Sequence, residues 1–308
     1  MSIVVIGAVF VDVKGFPLGS YIPDGSNAGI VKYIHGGVSR NVVENIANLE
    51  LEPTFLSLVD KSSLGKDVVA RLNEKKVNTK YVQAIDKGMG TWLAVFDDKG
   101  DLAGSISQRP NLMPIHDVLM LHGDEIVANC TSIIIEADID REIIERVFEL
   151  AKKYDKKVFS VVSNMELIMQ RREYISEYEC FVCNDIEAGQ LFGDNFTTHD
   201  DLHSLIELLA RRTKAAKMKN MIVTLGSTGS IYASLTGESG FVPARKVSVV
   251  DTTGAGDAFC SGVAVALSYG KSLKEACEIG TFLSSNVVTS VDNVIPHYLP
   301  EEIGITIE

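Results

Sequence analysis

Val247-Ser-Val-Val250 runs directly into Asp251-Thr-Thr-Gly-Ala-Gly-Asp-Ala-Phe-Cys-Ser-Gly262. The valines predict a strand, Gly254-Ala255-Gly256 a turn, and the residues from Asp257 onward a helix. A helix that opens on glycines presents unpaired backbone N–H groups with no side chains in front of them. Those donors, with the positive end of the helix dipole, suit a phosphate or another oxyanion. Asp257 then places a carboxylate at the mouth of an anion site. An Asp that caps a helix after a glycine turn gives the same pattern, so this stretch alone leaves both readings open.

The chain around it has 308 residues, 46% of them apolar, enough for one large α/β core. A net charge of −12 argues against non-specific nucleic-acid binding, which relies on clustered Lys and Arg. A polyanionic ligand would therefore lean on backbone amides and a divalent metal. The opening residues MSIVVIGAVFVDV lack a basic leader and carry Asp12, so they read as a buried first strand. No apolar run is long enough to cross a bilayer. Five cysteines, an odd number, fit a reducing compartment, and the cytoplasm is the expected location. Cys180 and Cys183 form a C-x-x-C without a second pair and read as structural thiols.

No repeat, low-complexity tract or linker interrupts the chain, so residues 1–308 are expected to form one domain. Residues 13–35 are broken by Gly15, Pro17, Gly19, Pro23, Gly25 and Gly29. Residues 81–111 alternate around Asp86-Lys-Gly88 and Asp98-Lys-Gly100. Both predict a small sheet or lid apart from the main core. Strands are expected over 53–59, 131–137, 157–162, 180–184, 220–226 and 246–250, with a hairpin between the last two. Helices are expected over 64–75, 140–154, 185–191, 200–217, 258–269, 273–279 and 281–289. Apolar strands alternating with helices imply an α/β fold with a mostly parallel central sheet and helices on both faces. Ligands of such sheets bind beyond the carboxyl ends of the strands.

Polar clusters follow the expected strands: Asp12; Gly36-Gly37 with Asn41; Asn184 to Glu187; Thr224 with Gly226 and Gly229; and Asp257. Two nucleotide signatures fail. Gly270-Lys-Ser272 would need a glycine where Val265 stands, and Gly254-x-Gly256 lacks a third glycine because position 259 is Phe.

Three motifs in order resemble the ribokinase-like (PfkB) family of sugar and nucleoside kinases: Gly36-Gly-Val-Ser-Arg-Asn41, Asn184-Asp-Ile-Glu187, and Asp251 to Gly262. The resemblance implies a Rossmann-type sandwich with a β-sheet lid and an ATP-dependent phosphotransfer to a hydroxyl, with Asp257 as the base. It also implies an anion hole formed by the N–H groups of Ala255, Gly256 and Asp257, with Gly254 beside them in the catalytic turn. Asp12, Gly36, Gly37, Arg40, Asn41 and Asn111 would hold the substrate, and Asn184, Thr224, Gly226 and Gly229 the nucleotide. Glu187 would order Mg²⁺ through water, and Asp251 and Thr253, with Ser285, Val287 and Asn293 closing the loop, would border a K⁺ site. Within the family, GGVSRN, SNAGIVKY and Asn111-Leu-Met resemble pseudouridine kinases, which implies a ribosyl 5′-hydroxyl as acceptor. A ribokinase- or fructokinase-type enzyme is the alternative, and a non-catalytic sugar- or nucleoside-binding regulator the alternative from another class. The apolar lid residues Ile22, Ile30, Val31 and Ile34 suit a homodimer through the lid. Two departures stand out: Ser62 and its neighbours replace a family glycine and Asp, and Val161 or a neighbour stands where relatives carry an Asp.

Overall fold

The computed structural model describes residues 2–198 and 201–306. In chain order its first part comprises β1 (Ser2–Ile6), β2 (Phe10–Pro17), β3 (Gly29–Gly36), α1 (Val38–Ala47), β4 (Thr54–Asp60), α2 (Ser63–Glu74), β5 (Asn78–Ile85), β6 (Gly90–Phe96), β7 (Leu102–Gln108) and α3 (Met113–Ala128). Then come β8 (Cys130–Glu136), α4 (Arg141–Tyr154), β9 (Lys157–Val161), α5 (Met165–Met169), β10 (Phe181–Asn184), α6 (Asp185–Phe192), α7 (Leu202–Ala215) and β11 (Asn220–Thr224). The chain closes with β12 (Gly229–Ser234), β13 (Ser239–Pro243), α8 (Ala255–Ser268) and α9 (Leu273–Val287).

A parallel 5-stranded sheet in the order β5-β4-β1-β8-β9 forms the centre. A bridge between Phe159 and Cys180 carries it on to β10-β11-β12-β13, where β10 and β11 are parallel and the last pairings antiparallel. Its strands are apolar on both faces because both are covered. Val4 and Ile6 face one core with α3, α4 and α7, while Ile3 and Val5 face the other with α1, α2, α8 and α9. Cys183 and Cys180 fall on those opposite sides, both buried, so the C-x-x-C cannot act as one pair.

A second, 4-stranded sheet, β3-β2-β6-β7, is built from the segments expected to form a lid. Two boundaries are corrected. The stretch read as one strand divides at Gly7, where an added Cβ would lie 2.1 Å from Ser39 Oγ and 2.7 Å from the Glu136 carboxylate. Asp12 therefore belongs to β2 of the second sheet, not to the end of the first strand. Residues 81–85 lie in β5, the edge of the central sheet, so the second sheet resumes only at Gly90.

Other corrections concern helices and one strand. The valine run 247–250 forms no strand; β13 already closes the edge, and Val249 and Val250 stay exposed. The helices expected over 273–279 and 281–289 are one, α9, because Gly280 is the point of closest approach to α8. A Cβ on Gly262 would lie 2.9 Å from Gly280 Cα. Helix α3 was not expected at all: Pro114 and Gly123 resemble breaks, yet Pro sits in the first turn and Gly123 admits Leu150 of α4. The expected start of α7 at Asp200 lies outside the described residues; Asp201 caps the helix through the Ser204 amide. Ser62, at the departed family turn, caps α2 by accepting from Gly65 N.

Candidate active site

Gly254 ends the loop before α8 with φ +83°, and an added Cβ would stand 2.1 Å from the Asn293 carbonyl oxygen. Both facts require glycine there. Ala255 N already donates to Thr252 O at 3.2 Å, which corrects the expectation that its amide is open. The amides of Gly256 and Asp257 have no backbone acceptor, and Gly256 faces open space. Alternate residues of this turn border two cavities. Thr253, Gly254 and Asp257 line one of about 370 Å³; Thr252, Ala255 and Gly256 line another of about 680 Å³. The glycine turn thus borders both cavities, with Gly256 on the larger and Asp257 on the smaller.

The smaller cavity lies between the second sheet and the carboxyl ends of the central strands, with Asp12, Trp92 and Ser107 from one and Glu136 and Ser163 from the other. Gly36 and Gly37 let the backbone approach Asp12 and Ala8 closely. A Cβ at Gly36 would meet Asp12 Oδ1 at 2.6 Å, and Gly37, at φ +100°, would meet Ala8 O at 2.7 Å. Asn41 Nδ2 donates to Asp257 Oδ2 at 2.6 Å, which fixes the amide so that Oδ1 remains the free acceptor, buried and unbonded. Burial pushes the Asp257 carboxyl up to about 6, against the opposing pull of the Asn41 hydrogen bond and the Arg40 charge. Asp12 is raised as well, chiefly by burial.

Arg40 does not line this cavity. It is 1% exposed, pairs with fully buried Glu44 at 2.6 Å, and donates to the His35 carbonyl and to Asn293 Oδ1. Neither a solvated helix face nor a substrate contact describes it; the guanidinium binds β3, α1 and the Asn293 loop together. Arg71 completes the cluster from α2, 2.6 Å from Glu44. Asn111 is also away from the cavity: it is exposed and accepts from the Met113 amide at the start of α3. Asn184 and Glu187 close a capping box on each other, Glu187 N to Asn184 Oδ1 at 2.8 Å and Asn184 N to Glu187 Oε2 at 2.9 Å. Burial raises the Glu187 carboxyl, and Cys260 in α8 feels both Asp257 and Glu187.

Thr224, Gly226 and Gly229 do line the larger cavity; at Gly229, φ +135°, a Cβ would lie 2.1 Å from Val242 O. Asp251 Oδ1 accepts from Thr253 N at 2.8 Å, and the adjacent Val250 N donates to Val288 O at 2.7 Å, tying this loop to the end of α9. The Asn293 backbone packs against Gly254 at the end of this loop, while its side-chain amide is committed to Arg40 and to His35 O, on the smaller cavity.

Several cavity residues escaped the sequence reading. Glu136 is 1% exposed; Oε1 accepts from Ala8 N and Ser39 N, both at 3.1 Å, and Oε2 is unbonded. Burial and the neighbouring Asp138 push its carboxyl up to about 7. A charge closing the apolar run Ser132-Ile-Ile-Ile-Glu136 was the available signal. Trp92, Ser107 and Arg109 carried none, since only the register of β2, β6 and β7 turns them inward.

A metal fit can be tested on the donors present. Among the described residues no three His, Cys, Asp or Glu converge on one point. The donors present do not fit an all-protein cage; a Mg²⁺ here would take most of its ligands from phosphate and water, with Glu187, its Oε2 already accepting from Asn184 N, as a carboxylate that could order those waters.

Comparison with known proteins completes the picture. The pfkB family of carbohydrate kinases matches residues 1–297. A guanosine-inosine kinase from Exiguobacterium acetylicum is 33% identical over 301 residues, 97% of this chain and 98% of that protein. The pseudouridine kinase of Escherichia coli (strain K12) is 24% identical over 263 residues, 85% of this chain and 82% of that one. The structure of Arabidopsis thaliana ribokinase complexed with ribose and ATP superposes with a TM-score of 0.82 at 20% identity, covering 98% of each chain. With the matched family spanning nearly its whole length, the chain belongs to the pfkB family of carbohydrate kinases and is a phosphotransferase with a hydroxyl group as acceptor.

Proposed function

We propose that the chain is a nucleoside kinase that phosphorylates the ribosyl 5′-hydroxyl, with guanosine and inosine as the leading substrates. One observation carries the site assignment: the Gly254–Asp257 turn borders two cavities, placing the Asp257 carboxylate beside two backbone amides without a backbone acceptor. The similarity to a guanosine-inosine kinase supports the substrate class. Pseudouridine is the second reading, supported by the GGVSRN motif and the similarity to a pseudouridine kinase.

In this reading Asp12, Asn41 Oδ1 and Glu136 hold ribose hydroxyls over Gly36 and Gly37. Asp257, oriented by Asn41, accepts the proton from the attacking hydroxyl as its oxygen bonds to the γ-phosphorus and the bond to the β-phosphate oxygen breaks. The amides of Gly256 and Asp257 bind the oxygens on which charge accumulates. Thr224, Gly226 and Gly229 line the cavity for the nucleotide. Mg²⁺, ordered near Glu187, would neutralise phosphate charge, and K⁺ beside Asp251 and Thr253 would stabilise the loop before the turn. The second sheet acts as a lid that excludes water.

The outer face of that lid exposes Val31, Tyr33, Leu93, Val95 and Ile106. Such a patch suits a second copy of the chain, giving a homodimer through the lid. The substrate reading is tested by ATP- and Mg²⁺-dependent turnover of guanosine, inosine, pseudouridine, adenosine, ribose and fructose 6-phosphate. Guanosine or inosine should give the highest kcat/KM, with a 5′-monophosphate as product. Turnover of free sugars only would refute the nucleoside reading, and binding without turnover would favour a regulator.

A further inference from the structure

The smaller cavity continues from Asp12 along one cross-strand row of the lid: Asp12 pairs with Trp92, and Trp92 with Ser107. Residues two apart in a strand share a face. Arg109, two residues beyond Ser107, lines the same cavity with its side chain 30% exposed. It is held from behind by Asp138, whose carboxylate is 0% exposed. Arg109 Nη2 donates to Asp138 Oδ2, and Ser163 Oγ donates to the same oxygen at 3.2 Å. Arg171 donates to the Asp138 carbonyl at 2.8 Å, fixing the backbone that carries the carboxylate. The guanidinium is therefore a pinned, planar fork, and the bond to Asp138 uses one of its five N–H donors.

An ion pair that merely ties the lid strand to the core would not need to line the cavity. Trp92 lines the same cavity, a flat aromatic surface on which a base can stack, with Lys14 Nζ 5.7 Å from its ring centroid. The combination of a stacking face and a fixed guanidinium edge recognises two adjacent acceptors. A 6-oxopurine offers such a pair in O6 and N7, whereas adenine presents an N6 amino donor next to N7.

We propose that Arg109, oriented by Asp138, is the residue that selects 6-oxopurine nucleosides over adenosine. This rests on the nucleoside reading of the site. The remaining lid sheet supplies position, and the Asp257 end of the cavity treats all ribonucleosides alike.

The test is steady-state kinetics of the full chain with guanosine, inosine, adenosine and 7-deazaguanosine, comparing wild type with Arg109→Met. The wild type should prefer guanosine and inosine over adenosine by about 10- to 100-fold in kcat/KM, and should lose about tenfold with 7-deazaguanosine, which lacks the N7 acceptor. Arg109→Met should raise KM for guanosine and inosine far more than it lowers kcat, and the guanosine-to-adenosine ratio should fall at least about tenfold. Its guanosine and 7-deazaguanosine values should converge. Because Asp138 would be left buried without its cation, the double variant Arg109→Met with Asp138→Asn is measured in parallel; it should show the same loss of discrimination with a wild-type melting profile. A uniform loss on all four substrates would overturn the proposal and leave a structural ion pair. Unchanged ratios in the double variant would overturn it as well, while turnover of guanosine itself would leave the nucleoside reading standing. A wild type that phosphorylates only free sugars would overturn both.

Discussion

At the residue scale the decisive group is Asp257. Its carboxyl is raised to about 6, mainly by burial, from an ordinary 3.8. A carboxyl raised by folding favours the protonated form in the fold. Its stabilising contribution is complete below about pH 4 and disappears as pH rises through 6. At pH 8 the ionised group destabilises the protein by at most about 3 kcal/mol. Asp257→Asn should therefore lower kcat by about 10²- to 10⁴-fold while raising the melting temperature at pH 8 by a few degrees, read by calorimetry. The same ionisation predicts that kcat of the wild type falls on the acid side with a midpoint near 6; a flat profile between pH 5 and 8 would disconnect the rate from this group. Asp257 stood out in the sequence only through the three ordered motifs, because the glycine turn by itself fits a helix-capping Asp equally well. Arg40 was misread because its partners, Glu44, Arg71, His35 and Asn293, come together only in the fold.

At the element scale the turn before α8 makes two predictions of opposite kind. Gly254→Ala would force an L residue to φ +83° against the Asn293 carbonyl, and should destabilise the protein by about 2–4 kcal/mol in urea unfolding. Gly256→Ala meets nothing within 4 Å and should fold as the wild type does. Its methyl would stand in the larger cavity in front of the free amides, so KM for ATP should rise severalfold. The parallel strands were legible because both of their faces are buried, which makes apolar runs continuous. The elements that were missed have physical reasons. In α3 a first-turn proline and an interfacial glycine look like breaks, and in α9 Gly280 marks a helix crossing instead of an end. The valines of 247–250 have strand character but find no edge to pair with, and Val247 and Val249 border the larger cavity.

At the scale of the whole molecule, the central sheet and the lid together enclose the smaller cavity. The carboxyl ends of β8 and β9 supply the floor, β2, β6 and β7 the roof, and the α8 turn the wall towards the larger cavity. The division of the chain into these layers was legible from its glycine and proline punctuation; the exit of β2 from the first strand was not, because Gly7 lies inside an unbroken apolar run. The exposed apolar face of the lid predicts a dimer in sedimentation velocity at micromolar concentration, and Tyr33→Glu with Ile106→Glu should convert it to a monomer.

The proposed chemistry requires Asp257 to face the hydroxyl that receives the phosphoryl group. A crystal structure with guanosine and a non-hydrolysable ATP analogue tests that most directly. The nucleoside 5′-oxygen should lie within about 3.2 Å of an Asp257 carboxylate oxygen, with the γ-phosphate on the Gly256 and Asp257 amides. A nucleoside bound with its 5′-oxygen directed away from Asp257, or a γ-phosphate bound elsewhere than at the turn, would contradict it.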